Sequence, residues 1–77
     1  MDINKLYAEV EKLLKEAGFP PELYILKKEA ECVSVHFDKK EAVDYFRGDF
    51  DDWEYAEDCV FEYKRVGKRH AAFIYNW

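Results

Sequence analysis

Between residues 49 and 58 the chain reads Asp49-Phe50-Asp51-Asp52-Trp53-Glu54-Tyr55-Ala56-Glu57-Asp58, six acids and three aromatics in ten positions. Carboxylates at this density complement Arg and Lys, and through them the basic surfaces with which proteins hold nucleic acid. Trp and Tyr are enriched where contacts carry binding energy. The pattern therefore predicts a partner-binding surface built from Asp49, Asp51, Asp52, Trp53, Glu54, Glu57 and Asp58. Phe50 and Tyr55 either join that contact or plug the core beneath it.

Other chemistry has weaker support. A metal site would need Cys32, His36, Cys59 and His70 to converge, yet Cys32 and His36 lie roughly 13 Å apart along an extended strand, too far for ligands at about 2.0 to 2.3 Å. Asp49, Asp51 and Asp52 resemble the start of a calcium loop, but no Gly or Glu follows at the required spacing. The single serine, Ser34, has no nucleophile-elbow context, and the three glycines form no phosphate loop. Ser34, His36 and Asp38 alternate along a strand, where an exposed sheet face accounts for them. Neither a catalytic residue, a metal nor a cofactor is expected.

Charge is unevenly spread. Residues 1 to 37 carry a net −2, residues 38 to 62 a net −7, and residues 63 to 77 a net +4, within a total of −5. The acidic middle repels nucleic acid and attracts basic partners, so direct binding to DNA or RNA is not expected as the main role. Lys64, Arg65, Gly67, Lys68, Arg69 and His70 form a basic hairpin tip that either touches phosphate or an acidic partner, or guards a sheet edge against strand addition. Opposite poles on one small body also allow self-association.

Seventy-seven residues, 49% hydrophobic, 18% aromatic and 38% charged, describe one domain over residues 1–77 and leave no room for a second. Six Phe, six Tyr and two Trp supply the bulk of the core. No apolar run approaches the roughly 20 residues of a membrane span, and no basic then apolar leader follows Met1. Two cysteines, Cys32 and Cys59, fit free thiols in a reducing, cytoplasmic setting better than a disulfide scaffold.

Periodicity places the elements. Ile3, Leu6, Tyr7, Val10, Leu13, Leu14 and Ala17 form one helical stripe, with Asp2 as cap and Gly18 as stop. Residues 22–26 read as a strand, with a helix starting at Pro21 as the alternative. Val33, Val35 and Phe37 alternate with polar neighbours as a second strand. Asp38 and Glu41 match a capping box for a helix from about Lys39 to Arg47, stopped by Gly48, after which Asp49 caps a short helix or opens an ordered loop.

Residues 59–66 and 69–77 form a hairpin across Gly67-Lys68. A two-residue turn leaves Phe73, Tyr75 and Trp77 on the outer sheet face; a three-residue loop gathers them with Cys59, Phe61 and Tyr63. The fold expected is α+β in two layers, in α-β-β-α-β-β order, with helices on one face of a four-stranded, mainly antiparallel sheet.

These features predict a non-enzymatic acidic domain that docks as an inhibitor on a basic surface of another protein, one that binds nucleic acid included. Phage-encoded blockers of host defence and toxin-neutralising partners share this profile, though no motif ties the chain to them. The alternative is a homodimer or assembly subunit using the aromatic strand Phe73, Tyr75 and Trp77.

Overall fold

The computed structural model describes residues 2–76. Helix α1 spans Ile3–Glu16, and its start is set as the sequence predicts: the Asp2 carboxylate accepts the Lys5 backbone N–H at 2.8 Å. Leu6, Val10 and Leu14, one every fourth residue, are fully buried. Gly18 adopts φ +83° just past the helix, a conformation that costs a residue with a Cβ. A short 3₁₀ turn, Pro21–Leu23, leads into strand β1, Tyr24–Lys28, so the strand reading holds and begins two residues later than expected. Strand β2 is Val33–Phe37, helix α2 is Lys40–Asp51, a second 3₁₀ turn is Ala56–Asp58, and strands β3 and β4 are Cys59–Val66 and Arg69–Asn76.

The four strands form one antiparallel sheet in the order β1-β2-β4-β3. Both hairpins are present, and they join through β2 and β4, with Val35 opposite Ala72. Val66 pairs with Arg69 across Gly67-Lys68, so the two-residue turn prevails. Gly67 takes φ +63° there, as the first central position requires.

Both helices cover one face. Val33, Val35, Phe37, Ala72 and Ile74 from the central strands meet Leu6, Val10, Leu14, Val43, Phe46 and Phe50 from the helices. Phe46 lies at the middle, its ring 5.4 Å from Phe37 and 4.8 Å from Phe50. Such aromatic pairs add about 0.5 to 1.5 kcal/mol each beyond burial, a useful fraction in a small domain.

Helix α2 corrects three expectations. Its N-cap is Lys39, which makes no side-chain cap bond; Asp38 instead pairs with Arg69 at 3.3 Å, so the capping box is not formed. Gly48 does not stop the helix, and Asp49 lies inside it rather than capping another. Phe46 and Phe50, four residues apart and both buried, hold the last turn against the sheet, and that burial outweighs the roughly 1 kcal/mol a helical glycine costs.

The uncovered face of the sheet corrects a fourth. Ser34 and His36 belong to it, yet Ser34 is wholly buried and His36 is 6% exposed. Their strand is interior, flanked by Ile25 and Lys27 on one side and by Ala71 and Phe73 on the other. Among the described residues no helix is long and apolar enough to cross a membrane.

Candidate functional site

A groove of about 330 Å³ runs between α1 and the end of α2. Helix α1 contributes Glu9 and Glu16; the end of α2 and the loop after it contribute Asp49, Asp52 and Glu54. Five carboxylates thus face Lys12, the one cation of the lining, and Lys12 stands 3.9 Å from Glu16. Leu13, Ala17 and Trp53 supply the apolar wall.

Local folding sets this arrangement. Helix α2 ends at Asp51 with Asp52 as its C-cap, and the Trp53 N–H donates to the Phe50 carbonyl at 3.1 Å, closing a turn. The Trp53 indole is half-buried, edge-on to Phe50 at 4.9 Å and to Tyr55 at 5.3 Å. Phe50 is core, whereas Trp53 packs against the core while lining the groove. Of the seven residues singled out in the sequence, Asp49, Asp52, Trp53 and Glu54 meet in the groove. Asp51, Glu57 and Asp58 are exposed outside it. Glu9 and Glu16 escaped the sequence reading; with Lys12 they occupy one flank of α1 at spacings of three and four.

The electrostatics are unrelieved. None of the carboxylates from residue 49 to 58 belongs to an ion pair among the described residues; the cations pair with Glu16, Glu11, Asp44, Glu62 and Asp38 instead. The Asp49 Oδ2 is shut off from solvent without a hydrogen-bond partner. Asp49, Asp51 and Asp52 crowd the carboxyl end of α2, which has no base in its last turn. The helix dipole is negative there, so each charge costs about 0.3 to 1 kcal/mol. Among the described residues no three His, Cys, Asp or Glu side chains are grouped to hold a metal ion.

The uncovered sheet face carries a second polar cluster. Ser34 Oγ donates to Glu29 Oε1 at 3.2 Å and lies 3.0 Å from His36 Nε2, which therefore donates to the hydroxyl. This order puts serine between acid and imidazole. Burial, then the nearby Lys27 and Arg69, lowers the His36 pKa and keeps the ring neutral. Burial raises the pKa of both free thiols, Cys32 and Cys59, and holds them protonated. Phe73 and Tyr75 occupy this face, as the two-residue turn requires; Trp77 lies outside the described residues. Their strand is interior, so it offers a partner its face and not its backbone.

Lys40, Arg47, Lys64 and Arg65, with Asp44 paired to Lys40, border a second concavity of about 200 Å³, where the Arg47 guanidinium lies 4.5 Å from the centre of the Tyr63 ring. No family model, curated protein or solved structure matches the chain.

Proposed function

We propose that this chain is a non-enzymatic binding protein whose acidic groove receives a basic segment of a partner protein. The observation that carries this reading is the groove itself: five carboxylates, one of them with an unpartnered buried oxygen, around one lysine and an indole wall. An entering Arg or Lys would gain charge-assisted hydrogen bonds from the carboxylates, and its alkyl stem would lie along Trp53 and Leu13. A guanidinium near the indole adds about 0.5 to 2 kcal/mol. Asp51, Glu57 and Asp58 extend the field around the mouth and speed encounter with a positive surface. A partner that uses such a surface for nucleic acid would be blocked while the groove is filled, which makes the chain an inhibitor by occupation.

Capture from lysate by the wild-type chain, set beside D52K/E54K and followed by mass spectrometry, tests the reading. Partners should be basic, lost from the variant, and released as salt rises. Capture that ignores both the substitutions and salt would overturn it.

A further inference from the structure

Strand β3 is an edge strand of eight residues, and its outer rim is open: among the described residues no backbone hydrogen bond outside the regular elements involves residues 60–66. Two of the four large apolar side chains exposed on the molecule, Val60 at 39% and Val66 at 42%, stand on this strand. Between them on the same face lie Glu62 and Lys64, already 3.1 Å apart. The row Val60, Glu62, Lys64, Val66 is complementary to its own reverse. From these observations we infer that β3 pairs antiparallel with β3 of a second copy of this chain, about a twofold axis at Tyr63, joining two sheets into one of eight strands.

The register follows from charge and from the ladder. About Tyr63, Val60 faces Val66 of the second copy and Glu62 faces its Lys64, each contact occurring twice. Sliding the pair by two residues in one direction sets Glu62 against Glu62, and in the other Lys64 against Lys64, so like charges oppose both neighbouring registers. Backbone geometry agrees. Counted from the two-residue turn, the ladder directs the backbone groups of Val60, Glu62, Lys64 and Val66 toward β4, and those of Phe61, Tyr63 and Arg65 outward. The Tyr63 register pairs Phe61 with Arg65 and Tyr63 with itself, which are the outward groups. Strand β1, the other edge, is shorter, and Lys27 and Lys28 give it a charge that its reverse repels. No residue of β3 lines the acidic groove, so this inference does not rest on the function proposed above.

Sedimentation equilibrium of the full chain at rising concentration tests the pairing. Wild type should pass from monomer to dimer, while E62K and K64E should each associate at least about tenfold more weakly, since both symmetric ion pairs become repulsive. An equimolar mixture of E62K and K64E should dimerise again, as should the double swap E62K/K64E. R65P, which blocks an outward N–H and spares the β4 ladder, should stay monomeric with an unchanged circular dichroism spectrum. A wild type that stays monomeric to about millimolar concentration, or a dimer indifferent to E62K, or single variants whose mixture fails to pair, would overturn the inference; if R65P does not fold, the charge variants decide alone.

Discussion

The carboxyl end of α2 gathers acids where the helix dipole opposes them, and neutralising it should show what they cost. Asp51 and Asp52 are exposed, belong to no ion pair among the described residues, and lie where the helix dipole is negative. Replacing both with Asn removes two unfavourable charges of about 0.3 to 1 kcal/mol each, a gain of about 0.6 to 2 kcal/mol. With an m-value of about 1 kcal/mol/M, suited to so short a chain, the urea midpoint should rise by about 0.6 to 2 M. Glu41, in the first turn of the same helix, is the internal control, because E41Q makes the same change in charge per site where the dipole favours an acid. It should lower the midpoint. In about 1 M salt, where the screening length shrinks to about 3 Å, both effects should fade. If D51N/D52N leaves the midpoint unmoved or lowers it at low salt, or if its gain survives high salt, the acids are not held at a cost.

Three further outcomes follow from the same structure. Gly48 lies inside α2 at negative φ with open space where a Cβ would stand, so G48A should stabilise by about 1 kcal/mol and raise the thermal midpoint by about 4 to 8 °C. Because the folded pKa of His36 is lowered, the unfolded chain binds the extra proton first. Its contribution is intact above about pH 6.5 and declines as pH falls below that value, until the folded ring also protonates; H36Q should flatten this part of a urea-midpoint profile. Cys32 and Cys59 are buried with raised pKa values, so a disulfide-exchange reagent at neutral pH should label them only as fast as the chain opens, and immediate reaction in native buffer would contradict their placement.

Local signals were the legible ones. The stripe of Leu6, Val10 and Leu14, the cap at Asp2 and the turn at Gly67 each act within a few residues, and each appears where the sequence puts it. Gly48 misled because its cost is local while its compensation, the burial of Phe46 and Phe50 against the sheet, is tertiary. The union of β2 with β4 rests on pairs such as Phe37 with His70, separated by more than 30 positions, and no turn chemistry encodes it. The groove was half legible for the same reason. Asp49, Asp52, Trp53 and Glu54 are neighbours in sequence, but Glu9 and Glu16 join them only because α1 lies beside the end of α2.

The order β1-β2-β4-β3 bears on how the chain is born. A ribosome delivers β3 before β4, yet β4 is the strand that must enter between β2 and β3. Until residue 76 has cleared the exit tunnel, the inner rims of β2 and β3 have no neighbour, and the apolar side chains of Val33, Val35 and Phe61 wait without their sheet. Cooperative closure therefore falls to β4. Nascent chains halted short of it should be soft to proteases and drawn to chaperones.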